Sequence, residues 1–479
     1  MGRSLDVKFA SYRQSRRNHW DSVARKMDSW TGWGSAYHAR LMQIYRFWVA
    51  PRQRILEVGC GHGDLLASLE PSFGVGVDGS PEMVRRARML HPELEFIEAD
   101  GHDLGMLEGP FDVIILSDLI DDLWDVQQVF RQLRGLCHVR TRLIINSYSR
   151  VWELPLVIAA KLGVAKPRLT QNWLTVDDVF HLLNLAGFEV IRTWQEILWP
   201  LGTPVIAGLF NRILVKTWPF KFFAMTNFFL VRPCQEITPK RPLVSVIVAA
   251  RNEEGNIAQI FSRTPEMGAG TELVFVEGHS QDGTYAVIEK EIASHPEIRS
   301  RLLRQTGVGK GDAVRLGIAH ASGDIVMILD ADMTVPPEDL QRFYDALYEG
   351  RGEFINGVRL VYPMEDEAMR FFNFLGNKFF SQAFSWVLGQ PIKDTLCGTK
   401  VLWRRDYELI AANRTTFGDF DPFGDYDLIF GAAKLGLKIV DLPIRYRART
   451  YGSTNIRRWR HGWLLLRMVI FAARRIKFT

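Results

Sequence analysis

The 479-residue sequence predicts an α/β protein built from two doubly wound domains. Three observations carry that expectation. Two separate series of short apolar runs occur, and each run leads through a Gly- or Asp-rich loop into a helical pattern, as parallel strands with crossover helices do. A Pro-rich joint over 233–242 lies between the series. The length suits two to three ordinary domains, and 47% hydrophobic residues fill their cores. The expected division is 1–232, the joint, 243–455, and a basic tail over 456–479.

In the first domain, Met1 to Asn18 is basic and polar without an apolar core, so no secretory signal is expected. Trp33, Tyr37, His38 and Tyr45 follow in a helical cap. Arg54–Val58 reads as a strand, Gly59-x-Gly61-x-Gly63 as a turn, and Asp64 as a helix start. A glycine loop alone also suits a dinucleotide. Asp64, however, stands where that fingerprint needs its last glycine, and Glu57 precedes the turn. A second strand ends at Asp78, 19 residues after Gly59 and placed for ribose hydroxyls. A third ends at Asp100, a fourth at Asp118, and Asn227 to Val231 is the last. The apolar run Trp199 to Leu214, broken at Gly202, Pro204 and Gly208, reads as a substrate-side flap.

This ordered set resembles class I S-adenosylmethionine-dependent methyltransferases over about 20–232. The resemblance implies a Rossmann-like fold with S-adenosyl-L-methionine as cofactor. Glu57, Gly59 and Gly61 would lie at its methionine moiety, Asp78 at the ribose and Asp100 at the adenine amino group. A sulfonium donor is already activated, so the protein mainly positions the acceptor. Asp118, His102 and His38 are the bases in view, and none stands out. A non-catalytic binding module is the alternative, and the intact Gly59, Gly61, Asp78 and Asp100 set argues against it.

In the second domain, Leu243 to Ala250 reads as a buried strand running into Asn252-Glu253-Glu254. Glu272 to Glu277 is the next strand, and Gly309 opens a helix beginning with Lys310. Ile325 to Leu329 then ends in Asp330-Ala331-Asp332. An isolated pair of this kind is a polar turn. At a strand end, carboxylates at i and i+2 can also share one hard cation that grips a diphosphate. Strand order of this kind gathers Glu253, Glu277, Asp330 and Asp332 along one sheet edge.

Four such motifs in order resemble family 2 glycosyltransferases of the nucleotide-sugar (GT-A type) fold, in the polyprenyl-phosphate, dolichyl-phosphate-mannose-like branch, over about 243–455. The resemblance implies that Glu253 and Glu277 touch base and ribose, while Asp330 and Asp332 hold Mg²⁺ or Mn²⁺ on the diphosphate. Lys310 would approach the phosphates or remain solvated. Two departures leave the nucleotide open. Ala249-Ala-Arg-Asn-Glu253 replaces the branch's Pro-Thr-Tyr-Asn-Glu, and Glu277-Gly278 replaces two adjacent acids.

The acceptor side is expected from Asp394–Lys400 and Phe423–Phe430. Asp425 is the base if the acceptor is a glycan hydroxyl, because an inverting transfer needs a carboxylate for that proton. A phosphate monoester needs none, and Asp425 and Asp427 could simply cap a helix. Arg445, Arg447 and Arg449 alternate in a stretch resembling that branch's Arg-x-x-Gly-x-Ser, so one face would present guanidiniums to a lipid phosphate.

From Leu442 onward there is no acid, and Trp463–Ala473 is shorter than the about 20 apolar residues a span requires. The tail therefore reads as a basic amphipathic helix on an anionic membrane surface, or alternatively as a packing helix. The net charge of +5 is concentrated there and calls for no nucleic acid. Cys60, Cys137, Cys234 and Cys397 lack metal spacing and fit a reducing cytosol. The expectation is a bifunctional methyl- and inverting glycosyltransferase of glycan or glycolipid synthesis, cytoplasmic and peripheral on the inner membrane face. Its partners would be a nucleotide sugar and a lipid-phosphate or glycan acceptor.

Overall fold

The computed structural model describes residues 2–26, 34–161, 169–235, 240–359, 371–414, 426–445 and 458–478. The chain divides between Cys234 and Gln235 into two compact units, each with its own sheet and core. Asp425, Arg447 and Arg449 lie outside the described residues.

The first unit holds β1 (Arg54–Val58), β2 (Phe73–Asp78), β3 (Glu95–Glu98), β4 (Phe111–Ser117), β5 (Cys137–Tyr148), β6 (Phe188–Glu196) and β7 (Thr226–Pro233) in the order 3-2-1-4-5-7-6. The pairings among β1 to β5 are parallel, and β7 runs antiparallel to both β5 and β6. Aliphatic runs such as Ile114-Ile115-Leu116 are buried because helices cover both faces of a doubly wound sheet. The order reverses between β1 and β4, and a site forms at the strand C-termini beside such a switch point. Boundaries differ from the sequence reading, with β4 ending at Ser117 and not at Asp118. β3 stops at Glu98, leaving Asp100 in the following loop, and β7 continues through Pro233.

The second unit holds β8 (Val244–Ala250), β9 (Thr271–Glu277), β10 (Arg299–Arg304), β11 (Ile325–Asp330), β12 (Phe354–Val358), β13 (Lys400–Trp403) and β14 (Ile439–Pro443), ordered 10-9-8-11-13-12-14. β13 alone runs against its neighbours. It carries the Cys397–Lys400 stretch to the side of β11. The reversal between β8 and β11 sets the loop after Ala250 beside Asp330. Asn252, His279 and Met333, just beyond β8, β9 and β11, have left-handed backbones with φ of 55°, 60° and 58°. Such strain at non-glycine residues concentrates at functional edges.

The last helix, Arg458–Ala472, continues in a wider turn to Lys477. Leu465, Met468, Ala472 and Ile476 form its buried stripe, and it packs on helix Phe371–Leu388. The Lys477 ammonium lies 5.2 Å from the Trp386 ring. The apolar stripe of the tail is thus occupied by protein. Trp463, Ile470, Arg467, Arg474 and Arg475 face outward. Among the described residues, no helix is long and apolar enough to cross a membrane.

Candidate active sites

In the first unit a cavity of about 900 Å³ opens at the C-terminal edge of β1, β2 and β4. Glu57, Gly59, Gly61, Asp78 and Asp100 all line it, together with Asp118. Gly59 has φ 77°, and a Cβ there would meet Leu119 at 2.8 Å. Gly61 has φ 53° with open space where its Cβ would point, so the backbone itself forms the wall. Asp78 holds this loop in shape, one oxygen accepting Gly61 N–H at 2.9 Å and the other Ser80 N–H at 2.8 Å. Burial outweighs those two bonds and raises its carboxyl above the usual range.

Glu57 is only 3% exposed, and its Oε2 has no hydrogen-bond partner. Burial, only partly offset by the Leu66 N–H, pushes its carboxyl up to about 8. It is therefore mostly protonated at pH 7.

Asp100 sits in a different field. Burial raises its carboxyl, but bonds from His102 and the nearby Arg13 together bring it below the usual range. Asp125 N–H donates to His102 Nε2 at 3.0 Å, so the ring proton is on Nδ1 and points to Asp100 at 2.6 Å. His102, weighed as a base from the sequence, is instead a strut with both nitrogens committed. Arg13, Arg16 and Arg17, on helix Gly2–Lys26, pair with Asp100, Asp122 and Glu98 at 2.7, 3.1 and 2.8 Å. The helical cap expected from sequence thus covers this part of the rim through arginines that sequence reasoning did not single out.

Asp118, with φ 52°, accepts Tyr37 Oη–H at 2.9 Å, Asn146 Nδ2–H at 2.5 Å and Tyr148 Oη–H at 3.3 Å. These donors come from the cap helix Gly34–Trp48 and from β5, so only the folded sheet brings them together. Trp199–Leu214 is not the flap expected from the sequence, since none of its residues lines the cavity. Asn211 pins this segment elsewhere by accepting Leu198 and Trp199 N–H at 2.9 and 2.8 Å.

In the second unit Asp330 ends β11 and pairs with Lys310 at 2.5 Å. Burial raises the Asp330 carboxyl, but Lys310 overrides it, with Lys400 and Arg359 adding, and the group stays below its usual value. Gly398 packs directly on this pair, and a Cβ there would overlap both Asp330 Oδ2 and Lys310 Nζ. Asp332 Oδ1 accepts Thr334 N–H at 3.1 Å and its hydroxyl at 2.7 Å. Glu253 accepts Asn256 Nδ2–H at 2.7 Å, and Glu277 accepts Ser280 N–H at 2.5 Å. Asn252 N–H donates to Ser280 Oγ, and Asn252 Oδ1 accepts Gln281 N–H, which knits the loops after β8 and β9 together.

Further along the edge, Asp394 forms a two-pronged pair with Arg359 at 2.7 and 3.0 Å. Lys400, fully buried on β13, donates to Cys397 O at 2.6 Å and Asn356 Oδ1 at 3.3 Å. Asp427 is bound by Arg414 at 2.9 Å. Arg445 is exposed at the end of β14. The sequence marked Gly398 and Lys400 only as part of an acceptor-side stretch and left Arg359 unremarked, because β13 pairing with both β11 and β12 is what brings them near Asp330. Among the described residues, no group of three or more His, Cys, Asp or Glu side chains is gathered to hold a metal.

Each unit thus gathers its candidate residues at the switch point of its sheet, the first around a cavity walled by a glycine loop and the second at an acidic strand end. Together they define a two-domain group-transfer protein. Residues 245–408 match Glycosyl transferase family 2, and residues 55–138 match a methyltransferase domain. The chain belongs to glycosyltransferase family 2 and carries a methyltransferase domain ahead of it. It is 30% identical to glycosyltransferase AglJ of Haloferax volcanii over 229 residues, 47% of this chain and 71% of that protein. It is 35% identical over 111 residues to dolichol-phosphate mannosyltransferase of Saccharomyces cerevisiae, covering 22% of this chain and 41% of the relative. It is 34% identical over 112 residues to undecaprenyl-phosphate 4-deoxy-4-formamido-L-arabinose transferase of Edwardsiella ictaluri, covering 22% and 34%. The chain therefore spans under half the length of the last two.

Proposed function

We propose that the chain is a bifunctional transferase that methylates from S-adenosyl-L-methionine in its first unit and passes a sugar from a nucleotide sugar to a polyprenyl phosphate in its second. The observation that carries the second half is the ionised Asp330 beside Lys310, with Gly398 keeping side chains off the pair. The lipid acceptor is supported by the similarity to a dolichol-phosphate mannosyltransferase and an undecaprenyl-phosphate sugar transferase.

The donor set suits a hard divalent cation, since it offers two carboxylates two residues apart with the first held ionised. Mg²⁺ or Mn²⁺ would be held by Asp330 and Asp332, and it supplies charge neutralisation to the departing nucleoside diphosphate. Lys310 would exchange Asp330 for a phosphate oxygen. Glu253 and Glu277, fixed by their loop bonds, would meet base and ribose. Arg445, with Arg447 and Arg449, would receive the lipid phosphate. That acceptor is already anionic, so transfer with inversion requires no base, and Asp425 would serve as base only for a glycan hydroxyl.

In the first unit, the open wall at Gly61 would admit the methionine moiety, Asp78 would take the ribose and Asp100 the adenine. Asp118 with Tyr37, Asn146 and Tyr148 would orient the methyl acceptor in line with the sulfonium. The outward arginines of the tail would hold the protein at the inner face of the membrane.

The test is transfer of label from a panel of nucleotide sugars to a polyprenyl phosphate with Mn²⁺, alongside calorimetric binding of S-adenosyl-L-methionine. Labelled lipid phosphate and micromolar cofactor binding are expected. Label appearing only on a glycan hydroxyl overturns the acceptor. No cofactor binding would return the first unit to a scaffold.

A further inference from the structure

We propose that the methyltransferase unit itself docks on an anionic lipid surface, through an apolar face made by helix Glu153–Lys161 and residues 205–223. This inference goes beyond the proposed reaction and does not depend on which acceptor takes the sugar.

The helix is apolar on its outer side as well as its inner one. Leu154, Val157 and Ile158, at i, i+3 and i+4, form a stripe that is exposed, while Leu156 is its buried residue. An ordinary surface helix turns such a stripe toward the core. Residues 205–223 likewise expose an apolar side. Their inner side is held by polar anchors, Asn211 bound to Trp199 O and Lys216 paired with the buried Glu196. Their outer side presents Val205, Leu209, Ile213, Trp218, Phe222 and Phe223, with Trp218 77% exposed. The two pieces are tied together where Trp152 Nε1–H donates to Phe223 O at 2.8 Å. A segment anchored this firmly displays its apolar side chains as part of the fold.

The charge around the face selects the partner. From Ile197 to Gln235 there is no acidic residue. Arg212 and Arg150 are exposed, Lys161 ends the helix stripe, and the Lys221 ammonium sits 5.3 Å from the Phe222 ring. Indole and phenyl rings beside Lys and Arg are the composition of an interfacial anchor, with rings at the acyl boundary and cations among anionic headgroups. None of residues 199–223 lines the cavity, so methyl transfer does not account for this exposure.

The experiment is hydrogen exchange by mass spectrometry on the full chain, with vesicles of phosphatidylglycerol and phosphatidylcholine against phosphatidylcholine alone. Peptides within 153–161 and 205–223 should become protected with the anionic vesicles. A Trp218→Ser/Phe222→Ser variant should partition at least tenfold more weakly, with unchanged melting temperature and S-adenosylhomocysteine binding. Arg212→Glu/Lys221→Glu tests the same face by charge alone should the aromatic variant fold poorly. The proposal falls if the chain binds vesicles while these peptides exchange as in solution. It also falls if their protection grows with protein concentration in the absence of lipid, because the face then joins copies of the chain.

Discussion

Glu57→Gln should stabilise the first unit, and by an amount that depends on pH. The buried carboxyl titrates near 8, against an ordinary value of 4.5. With the folded value raised, its contribution is fully present below pH 4.5 and is lost progressively as pH rises to 8, because the unfolded chain gives up the proton first. At about 1.4 kcal/mol per unit over the roughly 2.5 units between 4.5 and 7, keeping the proton costs at most about 3 kcal/mol at pH 7. Glutamine keeps an oxygen for the Leu66 N–H, and its amide replaces an acid hydrogen at Oε2, which has no partner either way. Calorimetry on ligand-free protein would show the first unit's transition rising by about 6–12 °C at pH 7, given about 2–4 °C per kcal/mol for a unit of this size. Near pH 4.5 the two proteins should melt together, and the second unit's transition serves as an internal reference. A difference in melting temperature that is the same at pH 5 and pH 8 would refute the reasoning.

Other outcomes follow from the same contacts. Asp332→Asn should abolish metal-dependent sugar transfer while leaving S-adenosylmethionine affinity unchanged, and full retained transfer would remove Asp332 from the site. Gly398→Ala should displace Asp330 and Lys310 and reduce transfer at least a hundredfold, read by label incorporation, with circular dichroism checking that the fold persists. Asp78→Ala frees the Gly61 and Ser80 amides and should weaken cofactor binding by about 1.5–3 kcal/mol, roughly ten- to hundredfold by calorimetry. Replacing Arg467, Arg474 and Arg475 with Gln should cut anionic-vesicle binding by up to about 3 kcal/mol at low salt and much less at high salt, measured by flotation.

The strand series was legible because each strand is a short aliphatic run closed by a polar or glycine turn, as Ile325–Asp330 and Arg54–Val58 are. The acids that end β2 and β11 were legible for the same reason. Contacts made by strands distant in sequence were not. Nothing local marks Gly398 as the neighbour of Asp330, since antiparallel β13 must first pair with β11. Asn146 reaches Asp118 only because β5 lies beside β4. The tail misled in part, because a stripe such as Leu465, Met468 and Ala472 reads alike whether it faces lipid or helix Phe371–Leu388. His102 offers the same lesson, since its Nε2 accepts Asp125 N–H, a partner 23 residues away.

The Lys310–Asp330 pair bears on the order in which substrates arrive. An internal ammonium already pairs with the carboxylate, so a divalent ion held by Asp330 and Asp332 would have to displace it. Under the proposed reaction a nucleoside diphosphate would ease that exchange, because its phosphates would offer the ion further oxygen ligands and Lys310 a new anion. Cation and sugar donor would then enter as one complex, and the ion would leave again with the spent nucleotide. Under that reading Lys310 would act as a resident counter-ion for Asp330 between turnovers.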